Sequence, residues 1–301
     1  MKIEIWKMIF YQIIGGPYLT NIFDGILFSI FAFFIGIISS TLGVGGGFIT
    51  TPSLILLGVD ESFAIGTVLF MIIFTALSAT IAYARQPNTI EYRTGLLIAI
   101  TTVVGALLGS LTSSYLATEA PQIFRIVFAI CLFPIAIKMI VFPKQKKKVL
   151  ETGEEVSEEI EHDDIVLFGF ERRELWSTLF GLVAGFASGL LGIGGGVVMV
   201  PILVHMGKLS MHKAVATSMF VMIATSIAGA AVKITMGQIY PDLAFFLIIG
   251  IIVGAQIGPR MAKKINTKRL QQIFGFMMII ALISIAIGRD YIVALIQSLF
   301  S

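Results

Sequence analysis

The residues best placed to do chemistry form a doubled string. Leu42-Gly43-Val44-Gly45-Gly46-Gly47-Phe48-Ile49-Thr50-Thr51-Pro52 returns as Leu191-Gly192-Ile193-Gly194-Gly195-Gly196-Val197-Val198-Met199-Val200-Pro201. Both copies sit inside strongly apolar runs. Each glycine weakens a helix by up to about 1 kcal/mol relative to alanine. A proline supplies no amide hydrogen and clashes with the carbonyl four residues back. The spacing therefore predicts a helix that stops near Thr41, a glycine turn, and a half-helix that starts near Phe48. Such a half-helix offers unpaired amides and the positive end of its dipole to a ligand, and glycine lets the backbone come close to it. Two such ends meeting at a membrane midplane make an anion site without a buried cation. The candidate binding residues are Gly43, Gly45, Gly46, Gly47 and Phe48 in one copy, and Gly192, Gly194, Gly195, Gly196 and Val197 in the other. Thr50 and Thr51 add hydroxyls, with Ser39, Ser40, Thr41 and Ser188 close by in sequence. Thr67, Thr217 and Ser218 begin the next apolar segments and could face the same cavity. Gln256 is the one amide deep in such a segment, flanked by Gly254 and Gly258.

Competing chemistries are weaker. Glycines used only for close packing would repeat every four residues, which GxGGG does not. A dinucleotide fingerprint would need a third glycine where Phe48 stands. There is no serine–histidine–aspartate set, no HExxH and no pair of intramembrane aspartates, so the sequence does not read as an enzyme. His205 and His212 lack carboxylate or cysteine partners at ligand spacing, and the single cysteine, Cys131, reads as a small apolar filler. No metal and no cofactor is expected. Asp and Glu are absent from the middle of every apolar segment, where proton or sodium relays commonly place one. Lys233 and Arg125 lie near segment ends, where they are expected to snorkel or to attract anions at the outer mouth.

The elements that must position these residues are membrane helices. Of the 301 residues, 57% are hydrophobic and 13% charged, against about 25% charged in a soluble domain. The expected partners are therefore a lipid bilayer and a small anion, with no nucleic acid. Asp24–Gly58 and Leu175–Gly207 are longer than the roughly 20 residues one crossing needs, and each contains a glycine break. Three further apolar segments follow each one: 63–84, 94–116 and 122–142 in the first half, and 213–234, 243–261 and 270–288 in the second. Glycines and prolines of the two halves match at an offset of 149 (Gly43 with Gly192, Pro52 with Pro201, Gly105 with Gly254), and Thr67 matches Thr217 at 150. This is an internal duplication. Small residues at four-residue spacing (Ala32, Gly36, Ser40; Gly181, Gly185, Gly189; Gly250, Gly254, Gly258) mark close helix contacts and could also serve a homodimer.

The fold class read from this pattern is an all-α polytopic membrane protein of two repeats, each a glycine-broken helix in a re-entrant hairpin plus three transmembrane helices. The expected boundaries are an interfacial segment 1–25, repeat one 26–142, a charged cytoplasmic linker 143–174, repeat two 175–289 and a tail 290–301. If each glycine element returns to its own side, the halves are inverted and the cluster Arg260, Lys263, Lys264, Lys268 and Arg269 falls on the cytoplasmic side, as the positive-inside rule favours. Eight full crossings in parallel halves are the alternative. A cysteine placed at Lys208 would separate the two by its exposure.

The doubled Gly43-Val44-Gly45-Gly46-Gly47…Pro52 and Gly192-Ile193-Gly194-Gly195-Gly196…Pro201 resemble the TauE/SafE family of sulfite and organosulfonate exporters. So do Ala64-Ile65-Gly66-Thr67 and Ala214-Val215-Ala216-Thr217-Ser218, although the first copy has Val68 where the second has Ser218. The resemblance covers about residues 26–288. It implies an inner-membrane permease that exports sulfite, thiosulfate, a sulfonate such as sulfoacetate, or a related small anion. An anion-selective channel and a permease for an unrelated small anion are the alternatives.

Overall fold

The computed structural model describes residues 22–57, 59–119, 172–205, 207 and 209–262, with 137 and 279 as isolated positions. The expectations for the N-terminal segment, Arg125, Cys131, most of the linker, the last apolar segment of each half and the tail lie outside these residues.

The described residues form eight helices: α1 Ile22–Leu42, α2 Gly47–Leu56, α3 Glu61–Ala84, α4 Tyr92–Glu119, α5 Arg172–Leu191, α6 Gly196–His205, α7 Met211–Thr235 and α8 Pro241–Ala262. Five of them (α1, α3, α4, α7 and α8) are long and apolar enough to cross a membrane. Large apolar side chains on their outer faces are open, among them Phe23 at 74%, Ile100 at 62% and Phe245 at 60% exposure. Apolar groups so exposed are at home in lipid and costly in water. The chain is a multi-pass membrane protein.

Local chemistry sets the helix ends. Asp60 caps α3, its Oδ1 accepting from the Ser62 amide at 3.0 Å. Gly43 ends α1 in the left-handed conformation, φ 78°, and both its amide and that of Val44 donate to the Ser39 carbonyl, at 2.8 and 3.0 Å. The first glycine element is therefore a full-length helix, a turn and a half-helix, and not a hairpin of two half-helices. α1 alone has 21 residues, enough to cross, and only α2, with 10, is a half-helix. Pro52 and Pro201 lie inside α2 and α6 and not at their starts.

The small-residue faces bring helices together in parallel. Along α1 and α8, Gly25 lies against Phe246, Gly36 against Ile251 and Ala255, and Gly258 against Ser40 and Thr41. Along α4 and α5, Gly181 meets Ile98 and Thr101, Gly185 meets Thr102, and Gly189 meets Ala106 and Ser110. A β-carbon at Gly250, Gly254, Gly105 or Gly109 would overlap a backbone carbonyl oxygen of the partner helix (Ser29, Phe33, Leu182 and Phe186 respectively). α3 and α7 form the buried centre and run antiparallel. Gly66 of α3 lies beside Lys233 of α7, Leu69 beside Gly229, and Tyr83 against His212. α3 runs parallel to α8: Phe63 stacks on Tyr240 at 4.5 Å, and the Ser78 hydroxyl donates to the Ile252 carbonyl at 2.8 Å. α4 runs parallel to α7, with Gly95 against Phe220 and Ser114 against Lys233. So α1, α3 and α8 point one way, and α4, α5 and α7 the other.

These directions sort the charges. The end where α3 and α8 finish and α4 and α7 begin carries Arg85, Arg93, Lys213 and Arg260, together with Glu91. The opposite end carries Asp24, Asp60, Glu61 and Asp242.

Candidate functional site

The glycine breaks adopt the conformations that only glycine takes cheaply. Gly45 and Gly46 have φ of 80° and 89°, and Gly194 and Gly195 have 80° and 75°. Gly46 is the N-cap of α2 and has no side-chain cap. Its carbonyl accepts from Ile49 and Thr50, both at 3.1 Å. The Gly195 carbonyl accepts likewise from Val198 and Met199, at 3.1 and 2.9 Å. The amides of Gly47 and Gly196, the first of each half-helix, have no acceptor among the described residues. Unpaired amides at a buried helix start need a partner from elsewhere.

The two turns touch. Gly47 packs on the Gly192 carbonyl and on Ile193, and Gly196 packs on the Gly43 carbonyl and Val44. A methyl group on Gly47 would overlap the Gly192 oxygen, and one on Gly196 would overlap the Gly43 oxygen. Ile72 of α3 and Met222 of α7 flank both Gly45 and Gly194. Val44, Phe48, Ile193 and Val197 are buried around the contact. Each of these two turn carbonyls accepts from a hydroxyl. Ser218 donates to the Gly43 carbonyl at 2.8 Å, and Thr51 donates to the Gly192 carbonyl at 3.0 Å.

Gly46 and Gly195 border other residues than this contact does. The space in front of Gly46 is bounded by Ile35, Ile251 and the Ser39 hydroxyl oxygen, the last 3.4 Å from where a β-carbon would stand. The space in front of Gly195 is bounded by Ala184 and Ser188, with the Ser188 oxygen at 3.5 Å. Ser188 is fully buried and its oxygen has no hydrogen-bond partner among the described residues. A buried hydroxyl left without a partner costs free energy, so Ser188 and the Gly196 amide are two polar groups that a small anion could satisfy together. Ser39, its counterpart, makes only a 3.3 Å contact to the Gly36 carbonyl.

Other candidates are committed elsewhere. Thr50 bonds back to the Gly46 carbonyl at 3.1 Å, within its own helix. Thr67 and Thr217 accept from the amides of Tyr240 and Glu91, each at 3.0 Å. These bonds pin the starts of α8 and α4. Gln256 donates to the Ser78 carbonyl and hydroxyl, both at 2.9 Å, and so joins α8 to α3. His212 lies 3.3 Å from the Gln86 amide oxygen, and among the described residues no three histidine, cysteine or acidic groups are gathered as a metal site would need. Lys233 does not snorkel. It is fully buried, with Nζ donating to Ser114 at 2.8 Å and to Gln238 at 3.1 Å. The unpartnered Ser188 hydroxyl and the burial of Lys233 are tertiary facts, and spacing along the chain gives no signal for either.

A sequence profile described as "Sulfite exporter TauE/SafE" matches residues 28–285, most of the chain and both turns. The chain belongs to the TauE/SafE family. Among its relatives, the Bacillus subtilis protein named probable membrane transporter protein YunE is 28% identical over 253 residues, covering 81% of this chain and 91% of the relative. A probable membrane transporter protein of Methanocaldococcus jannaschii is 29% identical over 261 residues, covering 81% and 89%. A third, YjnA of Bacillus subtilis, is 25% identical over 259 residues. No solved structure matches this TauE/SafE protein. The family and its relatives make it a membrane transporter.

Proposed function

We propose that this TauE/SafE protein is a secondary carrier that exports a small sulfur-containing anion (sulfite, thiosulfate or an organosulfonate) across the inner membrane by alternating access. The observation that carries this reading is the pair of half-helix starts. Each has a left-handed glycine cap, an unpaired first amide and a serine of the preceding helix beside it. Backbone amides at a helix start favour an anion without any fixed cation. The family description points to sulfite, and the other anions follow from the same chemistry. The reciprocal glycine–carbonyl contact is then the closed state, which must part for an ion to pass. A counterflow assay in proteoliposomes tests this. Labelled sulfite is expected to enter faster when the vesicles are preloaded with unlabelled sulfite. Equal rates with and without preloading would leave a channel and remove the carrier.

The halves are read as inverted repeats, with the 143–174 linker in the cytoplasm. Support comes from direction, since matched helices α1 and α5, α3 and α7, and α4 and α8 point oppositely. Charge agrees, because the end bearing Arg85, Arg93, Lys213 and Arg260 is the cytoplasmic one by the positive-inside rule. In a Cys131→Ala background, Arg85→Cys and Lys213→Cys are expected to label from the cytoplasmic side and Met236→Cys from the other. Arg85→Cys and Met236→Cys labelling from one side would mean parallel halves.

A further inference from the structure

We infer that Lys233, Ser114 and Gln238 form a second anion-binding site, separate from the glycine turns, that takes a small free oxyanion. Lys233 stands near the end of α7 and is fully buried. Its ammonium donates to the Ser114 hydroxyl of α4 at 2.8 Å and to the Gln238 side-chain oxygen at 3.1 Å, and the Ser114 hydrogen is shared between that oxygen at 2.8 Å and the Ser110 carbonyl at 3.0 Å. Both partners are neutral. No carboxylate forms an ion pair with Lys233 among the described residues, and the third ammonium hydrogen has no acceptor there. Asp60, which caps α3, is exposed.

Buried charges are paired or satisfied by a ligand, and no carboxylate among the described residues pairs with this one. The Gln238 amide nitrogen has no partner among the described residues either. Gln238 is only half-buried and lies in the Met236–Tyr240 loop, at the acidic end of the molecule. An ammonium and an amide donor, steadied by one hydroxyl, suit an oxyanion and repel a cation. The packing is built around the pair. Gly66 of α3 lies on the Gln238 carbonyl, where a β-carbon would overlap, and its β-carbon position is 3.1 Å from the Lys233 β-carbon. The neighbouring Ile65 touches Gly192, so the site stands one helix position from the second glycine turn. The duplication does not repeat it. Tyr83 occupies the position 150 residues earlier and donates to the Ser40 carbonyl at 2.8 Å. A charge placed in one half alone gives the two ends of the molecule different affinities for an anion.

Thermal unfolding of the purified full chain, titrated with sulfite against chloride at matched ionic strength, tests the site. Sulfite is expected to raise the Tm of the wild type. Lys233→Met is expected to need at least tenfold more sulfite for the same shift. Gln238→Glu places a carboxylate where the amide oxygen lies 3.1 Å from the ammonium. It is expected to raise the resting Tm and to cancel the sulfite shift, which a merely structural lysine would not do. It also serves if Lys233→Met fails to fold. Ser188→Ala addresses the turns and not this site. Loss of the shift in both Lys233→Met and Gln238→Glu, but not in Ser188→Ala, sustains the lysine site even if the turns bind nothing. An unchanged sulfite requirement in Gln238→Glu, or a shift given by phosphatidylglycerol and by no free anion, overturns it.

Discussion

Gly47→Ala and Gly196→Ala are each expected to lower counterflow at least tenfold in protein that still inserts and purifies. The residues are the first of their half-helices, and neither has a positive φ, so an alanine there meets no backbone strain. What it meets is the other turn. The new methyl would overlap the Gly192 oxygen from Gly47, or the Gly43 oxygen from Gly196. Because the obstacle is backbone, no side chain can rotate away, and one turn must move. Overpacking of this kind costs about 1–3 kcal/mol, and 1.4 kcal/mol is a tenfold change in an equilibrium. The cost falls on the state in which the turns touch, so the cycle loses that state before the fold is lost. Gly237→Ala is the control for strain alone, because Gly237 has a φ of 65° but nothing within 4 Å of its β-carbon position. It should lose some Tm and keep transport. Wild-type counterflow in Gly47→Ala and Gly196→Ala would mean that the two turns need not meet during transport. Gly46 and Gly195, in the middle of each motif, are expected to tolerate change differently. Their β-carbon positions point toward Ile35 and Ser188 side chains at 3.0 and 3.2 Å, and their positive φ makes any substitution cost strain.

The places where sequence reading succeeded are those where backbone chemistry is local. Four glycines and a proline in an apolar run can hardly be anything but a break, and both breaks fall at the expected residues, with α1 ending at Leu42 and α2 starting at Gly47. The four-residue glycine spacing was legible for the same reason. A glycine face on a membrane helix has no use except close approach, and Gly250, Gly254, Gly105 and Gly109 all lie on partner carbonyls. Length was less reliable. A run longer than one crossing suggested a re-entrant hairpin, yet α1 is full length and α2 is not, because a helix in lipid extends until its backbone is forced to stop, here at Gly43.

Side-chain roles were legible only where the chain itself supplied the partner. Thr67, Thr217 and Gln256 have the right chemistry to line a cavity, but each meets a backbone or side-chain group brought from the other half: Tyr240, Glu91 and Ser78. Nothing in the spacing could reveal those partners. Lys233 is the opposite case. Its place near a helix end suggested that the ammonium would reach water, and the crossing of α4 over α7 at Ser114 closes that route.

Thr51→Val is expected to destabilise the closed contact by about 1–3 kcal/mol, the cost of leaving a buried carbonyl without its donor. The exchange keeps shape and removes only the hydroxyl that caps Gly192 at 3.0 Å. Ser218→Ala removes the corresponding cap on Gly43 but should cost less. The Ser218 hydrogen is shared, since its oxygen lies 2.8 Å from both the Gly43 and the Val215 carbonyl, so Gly43 holds only part of a bond to begin with. If the caps act only while the turns touch, their loss shifts the population toward states in which the turns have parted, by about five- to 150-fold for 1–3 kcal/mol. The readout is therefore double. The Tm falls in both variants, more in Thr51→Val, and cysteines placed at Val44 or Ile193, both buried in the contact, become reactive to a thiol reagent in the Cys131→Ala background. The double variant separates one gate from two independent caps. Distant independent sites add within about 0.5 kcal/mol, whereas two caps on one shared contact should fall short of additivity, because breaking either already frees both turns. Variants that lose stability additively while Val44→Cys stays unreactive would assign the hydroxyls to ordinary packing.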